Sequence, residues 1–417
     1  MSLEGLDLVA LLVVPALAAL TCRLRRNSAA AVTPVALVAS AVLLAVLPVD
    51  REVGGGGMNM AVSGFGKGAL WLSLLGVGLA VLAVNPRPGA DGSVAWSAHL
   101  FAVIAVVARS PLLLMAAVLL LALLLPRLQP GERPGPGPTW SRNLAAGATL
   151  ATAGLGLAVA PRPPLTVHAT SALVILGFML LVGAAPFTGG LRRWLTDSRT
   201  RLALLAVTSV VPALVAALVN SIGVFSRLHQ DASAGLAIAA FGALTLLAGA
   251  VAQLGAPGWR GLAADGAIAD LGLAVVGVGS LDISGLQGAS LALLVMALSR
   301  PFLLLLDEME MSGAWAWIGG GAALFAAAGL PPTVGFAARL LVLGAAFHLH
   351  PALAAAVVAG VVLEVFASAR LLLRLGIPLA RPARPGRVAA VAAVVALLAV
   401  GAGLVPGALL TYVWSLG

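Results

Sequence analysis

Apolar stretches of about 18 residues or more follow one another along nearly the whole of this 417-residue chain. Each is long enough to cross the roughly 30 Å hydrocarbon core of a bilayer. In lipid, every backbone N–H and C=O must be satisfied within the protein, so a spanning segment is a helix or part of a closed barrel. Runs this long, without polar alternation, are helices. The composition agrees: 61% of the residues are hydrophobic and 9% charged, and the mean hydropathy of +1.09 is far from that of soluble domains. No polar stretch is long enough to bury a core of its own. The chain therefore reads as one polytopic, all-α membrane domain over residues 1–417. The first apolar run, Leu8 to Leu20, is preceded by Glu4 and Asp7 rather than by a basic segment, which argues against a removable signal peptide. The single cysteine, Cys22, excludes an intrachain disulfide and an iron–sulfur cluster ligated by this chain. The net charge of +9 does not point to nucleic acid, because the basic residues are scattered among short loops.

Fourteen spans are predicted, at about 6–22, 30–49, 69–85, 94–108, 110–126, 143–160, 168–190, 202–224, 234–254, 262–280, 285–305, 313–347, 351–375 and 388–413. Basic residues concentrate in cytoplasmic loops, which tests this count. With the amino terminus outside, 17 of the 24 basic residues fall in cytoplasmic loops and 5, Lys67 among them, on the opposite side; Arg300 and Arg339 fall inside spans. Both termini are then expected outside a bacterial cytoplasmic membrane.

Two spans carry breaks. Span 7 ends in "LLVGAAPFTGGLRRW", with Pro186, and span 12 contains "GLPPTVGFAARLL", with Pro331, Pro332 and then Arg339. Proline removes a backbone donor and collides with the preceding turn. Broken helices at corresponding places in two halves of a membrane protein point to an internally repeated transporter whose breaks line an ion route. The corresponding halves are about 94–224 and 234–375.

On these motifs the chain resembles the antiporter-like membrane subunits of respiratory complex I, especially subunit N. That superfamily also includes subunits of multi-subunit sodium/proton antiporters and membrane-bound hydrogenases. "GLPPTVGFAARLL" is similar to the family's Gly-Leu/Ile-Pro-Pro-x-x-Gly-Phe-x-x-Lys stretch in its broken twelfth helix. "GAAPFTGGLRRWLTD" resembles its Ala-Pro-Phe-His-x-Trp-x-Pro-Asp stretch, "AVTSVVPALVA" its eighth helix, and "WRGLAADGAIADLG" a worn form of its Lys-Arg-Leu-Leu-Ala-Tyr-Ser-Ser-Ile-x-His-x-Gly stretch. The resemblance covers nearly the whole chain. It implies fourteen spans and a place in a proton-translocating assembly of the NADH:quinone oxidoreductase or hydrogenase type, within a respiratory electron-transport chain. The implied partners are other membrane subunits, including antiporter-like paralogues, soluble redox subunits and the lipid bilayer. No nucleic acid partner is implied.

The departures from the family matter more than the matches. The family has a glutamate in helix five and lysines in helices seven, eight and twelve, a buried polar row whose protonation drives ion movement. Alignment places Leu120 at the glutamate, Leu181 at the first lysine and Val211 at the second; Arg339 stands at the helix-twelve position and Asp270 where the family has a histidine. Leu and Val neither take up nor release a proton, and guanidinium does not deprotonate in proteins. The expectation is a degenerate, mainly structural member.

The remaining polar groups at depth are Asp265 and Asp270 in span 10, Arg300 in span 11, Glu364 in span 13 and His99 in span 4. An intramembrane charge is a functional candidate with a partner to be found. Arg339 is expected to pair with Glu364 or Asp270, and the candidate ion route comprises Arg339, Glu364, Asp270, Arg300 and Asp265. The alternatives are an active proton or sodium transporter using Asp270, Arg339 and Glu364, and the membrane partner of a small-solute uptake complex, for example for inorganic carbon. No Walker loop, dinucleotide fingerprint, metal-ligand spacing or catalytic triad occurs. No catalytic residue, metal site or cofactor is expected in this chain, and redox chemistry is left to partner subunits.

Overall fold

The fold is described from a computed structural model. The structure describes residues 6–24, 29–50, 53–55, 58–83, 90–110, 113–117, 139–159, 167–224, 232–308, 314–375, 398, 400–401 and 403–414. Apart from a small antiparallel hairpin, β1 (Val53–Gly55) and β2 (Met58–Met60), its regular elements are helices. They are α1 (Leu6–Leu24), α2 (Ala29–Val46), α3 (Gly64–Gly78), α4 (Ala90–Val107), α5 (Thr139–Val159), α6 (Val167–Val182), α7 (Thr188–Asp197), α8 (Thr200–Leu205), α9 (Val211–Val224), α10 (Ala232–Leu254), α11 (Trp259–Gly279), α12 (Ile283–Glu308), α13 (Ala314–Ala327), α14 (Val334–Leu349), α15 (Pro351–Leu375) and α16 (Pro406–Trp414). Among the described residues seven helices are long and apolar enough to cross a membrane, and four shorter ones are comparably apolar. The chain is a multi-pass membrane protein. Most of the predicted span 110–126 and part of 388–413 lie outside the described residues.

Two π-helical turns interrupt the regular winding, one at Leu79–Ala83 after α3 and one at Ala206–Val210 between α8 and α9. Nothing in the apolar pattern announced them. Pro301, by contrast, lies inside α12 without ending it. Lys67, which the sequence reading placed just outside the span 69–85, stands in the first turn of α3 and is fully buried. The signal for this was Ser63, whose hydroxyl accepts from Gly66 N at 3.1 Å and caps the helix. Lys67 Nζ donates to Leu47 O at 2.9 Å, just past the end of α2, where unpaired carbonyls favour a cation.

The chain divides into two compact units. The first comprises Met1–Gly183, Leu204–Ala234 and Thr411–Gly417; the second comprises Ala184–Ala203 and Gly235–Leu410. Each contains an antiparallel helix pair packed backbone to backbone. In the first unit a Cβ on Gly177 of α6 would lie 2.4 Å from Ala151 N of α5. In the second, a Cβ on Gly272 of α11 would lie 2.2 Å from Leu246 N of α10. Membrane helices gain little from mutual hydrophobicity, so small residues that permit such approach supply the packing energy.

The two helix breaks have the same backbone. Gly183 and Gly329 adopt positive φ, 74° and 68°, a conformation that glycine takes without strain. Three residues later stand Pro186 and Pro332, each after a cis peptide bond. Within each turn a backbone bond closes the corner, Phe187 N to Ala184 O at 2.7 Å and Thr333 N to Leu330 O at 3.0 Å. Five residues after the glycine the next helix starts, at Thr188 and at Val334.

Candidate functional site

The second unit buries four charges in one connected network. Asp270 comes from α11, Arg300 from α12, Arg339 from α14 and Glu364 from α15; their exposures are 1%, 0%, 6% and 2%. Arg300 Nε donates to Asp270 Oδ2 at 2.7 Å, and its Nη2 donates to Glu364 Oε1 at 3.3 Å. Arg339 Nη2 donates to Glu364 Oε2. Gln253, near the end of α10, adds an uncharged donor, Nε2 to Glu364 Oε1 at 3.2 Å. With every member ionised the network is neutral, and each charge has a partner, as burial at this depth requires.

Sequence position explains how the pieces meet. Gly266 precedes Asp270 by one helical turn, so both lie on one face of α11. A Cβ on Gly266 would fall 2.1 Å from Arg300 Nη1; only the bare backbone admits the guanidinium. Arg339 also donates to Ala327 O, the last residue of α13, and to Gly335 O at 3.4 Å. At Ala327 it thus caps a carbonyl that the break leaves without an intrahelical donor. Its guanidinium lies over Gly329, where a Cβ would come within 2.5 Å of Nη1. Three polar atoms of the network are buried without a partner among the described residues: Arg300 Nη1, Arg339 Nε and Gln253 Oε1.

Of the five candidate route residues, four are brought together, and Arg300 is the bridge between the carboxylates. The anticipated Arg339 contact is made to Glu364, while Asp270 is held by Arg300. Asp265 stands apart. Five residues before Asp270 on α11, it pairs with Arg192 of α7, whose Nη2 donates to Oδ2 at 3.1 Å; Asp265 is fully buried and Arg192 half-exposed. Gln253 was missed by the sequence reading, because a lone amide at the end of a span carries no recognisable pattern. Arg370, close to Glu364 in sequence, instead donates to Leu254 O at the end of α10. Of the break residues, Pro186, Pro331 and Pro332 are exposed in the isolated chain, and Thr245 Oγ1 accepts from Ala185 N at 2.8 Å beside the first break.

The first unit offers different chemistry. Leu181 in α6 and Val211 at the start of α9 are buried aliphatic side chains, and Leu120 lies outside the described residues. The buried polar groups here are mostly neutral. His99 Nδ1 meets Ser73 Oγ at 2.9 Å, Ser209 Oγ donates to Ser73 O at 3.4 Å, and Asn220 Nδ2 donates to Val106 O at 2.8 Å. No carboxylate joins this strip among the described residues. Nor do any three His, Cys, Asp or Glu among them stand where they could hold a metal ion.

No protein-family model matches the sequence, and no curated protein does. Solved structures do match. A chain of respiratory complex I from Thermus thermophilus superimposes with a TM-score of 0.78 at 22% identity, over 97% of this chain and 98% of that one. A chain of the Mrp complex from a Dietzia species gives 0.80 at 18% identity, over 100% and 97%. A chain of the membrane-bound sulfane sulfur reductase, an archaeal respiratory membrane complex, gives 0.79 at 15% identity, over 99% and 96%. The chain has their fold. Since the alignments run nearly end to end on both sides, the likeness is to whole membrane subunits of multi-subunit complexes, and it agrees with the antiporter-like resemblance read from the motifs.

Proposed function

We propose that this chain is an antiporter-like membrane subunit of a complex I-related, proton-translocating assembly, degenerate and structural in its first unit and retaining one ionisable network in its second. The observation that carries the reading is the contrast between Leu181 and Val211, buried where the resembled family has lysines, and the four paired charges around Glu364. Aliphatic side chains offer water no polar partners and no titrating group. The network of the second unit holds two carboxylates, Asp270 and Glu364, beside the fixed charges of Arg300 and Arg339. Partner membrane subunits would supply the rest of the ion route and soluble redox subunits the driving reaction.

A second reading, a scaffold throughout, is favoured by the neutrality of the network and by the capping of the α13 carbonyl by Arg339. Glu364→Gln in the assembled complex separates the two. The first reading expects assembly with coupled ion flux reduced at least tenfold; unchanged coupling establishes the scaffold. Affinity purification of the full chain in mild detergent tests the parent assembly. Co-purification with redox subunits is expected, whereas recovery with a lone carbonate-handling protein would overturn the complex I-related reading.

A further inference from the structure

We infer that the face of the second unit carrying the break between α13 and α14 is a protein interface, and that its occupant is an apolar transmembrane helix of a different membrane subunit. The identity of the occupant rests on the multi-subunit reading above. That protein rather than lipid covers the face stands on the break itself.

The break lies deep. α13 has 14 residues before it and α14 has 16 after it, so at 1.5 Å per residue each arm extends about 20 Å or more. Arms of that length on both sides place the turn well inside a hydrocarbon core of roughly 30 Å.

At the turn the backbone is irregular and open. Pro331 and Pro332 are exposed, and neither carbonyl accepts a hydrogen bond from a described residue. The nearby donors go elsewhere. Thr333 N bonds Leu330 O at 3.0 Å and Phe336 N bonds Thr333 O at 3.1 Å. The Thr333 hydroxyl also turns to Leu330 O, at 2.6 Å, instead of capping α14. Gly403 of the last span comes against Pro332 O, where a Cβ would lie 2.1 Å away. A glycine gives that carbonyl a C–H contact and nothing stronger. Beside it the last span is itself interrupted at Val405, which is exposed, as is Leu404. Two interrupted backbones thus meet at an open surface. Irregular backbone does not face lipid at this depth; it is tolerated where protein covers it or where it lines a water-filled cavity.

The flank of the turn fits protein rather than water. Phe336, Leu340, Gly344 and Phe347 follow at four-, four- and three-residue spacing and so share one face of α14. All four are exposed, and none offers water a polar side chain. A Cβ on Gly344 would meet nothing within 4 Å. The glycine leaves a notch between Leu340 and Phe347 in which a second helix can settle with its backbone close, as membrane helices pack. An uncharged stripe calls for an apolar partner face, and the carbonyls of Pro331 and Pro332 call for one hydroxyl or amide donor on it.

Photoreactive benzoylphenylalanine in place of Phe336, in the assembled complex in its membrane, tests this. Illumination should join position 336 to a transmembrane helix of a different chain, identified by mass spectrometry of the crosslinked peptides. The purified chain in lipid should give lipid adducts instead. Lipid adducts alone in the complex would overturn the inference. So would a product of two copies of this chain, or adducts confined to the chain itself. Gly344→Leu is the second variant. Gly344 touches nothing on this face, so the purified variant should melt as the parent does, while the crosslink to the partner is lost. An undiminished crosslink in Gly344→Leu would overturn the helix seat. A crosslinked membrane partner in an assembly without redox subunits would sink the complex I-related reading and leave the interface standing. Lipid adducts alone, in an assembly that holds such subunits, would do the reverse.

Discussion

The two units contain the same kinds of parts and use them differently. Each has a glycine-packed antiparallel helix pair, α5 with α6 and α10 with α11, and the breaks at Gly183 and Gly329 share one turn geometry. What differs is the buried chemistry. The first unit holds a serine–histidine–asparagine strip with no carboxylate among its described residues; the second holds Asp270, Arg300, Arg339 and Glu364 in mutual contact. The two units thus share backbone devices while burying different side chains. Packing and turn geometry are maintained by sterics; a proton route needs particular side chains, and these can be lost one at a time.

The largest effect should come from removing the bridge. Arg300→Met strands the buried Asp270 and leaves Glu364 only Arg339 and Gln253, and breaking a buried pair costs about 3–5 kcal/mol. Loss of helical signal on heating should fall by many degrees, or the chain should fail to accumulate. A shift no larger than that of an ordinary surface change would show that the second unit does not depend on its charges, and the contrast would fail. Next in size are Gly177→Leu and Gly272→Leu, one in each unit. Each drives a side chain into a neighbouring backbone already in contact, an overpacking cost of at least about 1–3 kcal/mol. Similar losses of thermal stability in the two variants would sharpen the comparison, because the shared scaffold is what both units retain.

How much of this was legible depended on the kind of signal. The all-helical, multi-span class was legible because twenty-residue apolar runs have a single structural meaning in lipid. The breaks were legible because proline there stands beside glycine, Gly183 before Pro186 and Gly329 before Pro331 and Pro332; proline alone was no signal, since Pro301 lies inside α12. That Arg300 joins Asp270 to Glu364 was not, since those residues are 30 and 64 positions away from it, and partner choice depends on the rotation of four helices. The start of α3 ahead of Lys67 was not legible from the apolar run, although Ser63 stood ready as a cap. The π-turn at Ala206–Val210 is set by packing rather than by composition, so the apolar pattern was silent about it.

A smaller effect tests the first unit. Ser73→Ala removes the partner of His99 Nδ1, a loss of about 1 kcal/mol for one hydrogen bond. Coupled ion flux in the assembled complex should be unchanged. Collapse of flux with the fold intact would make the neutral strip a working part of the route and break the contrast from the other side.

The smallest expected effect concerns the caps. In the first unit α3 begins at Ser63, an uncharged cap; in the second, α12 begins after Asp282. The hydroxyl of Ser284, followed by the backbone N–H groups of Ile283 and Ser284, holds the Asp282 carboxyl below its ordinary value of 3.8. A carboxyl lowered by folding stabilises the folded state fully above its unfolded value and loses that contribution as pH falls through the lower folded value. Asp282 is exposed, so solvent screening keeps the term small. Asp282→Asn keeps a capping side chain of comparable quality but cannot titrate. The fall in thermal stability on acidification should therefore be slightly shallower in this variant than in the parent chain. A Ser63→Ala variant should instead be destabilised equally at both pH values, because its cap carries no charge. An identical pH profile in the parent and Asp282→Asn would mean that the charged cap adds nothing, leaving the buried charges, the network and Asp265 with Arg192, to set the second unit apart.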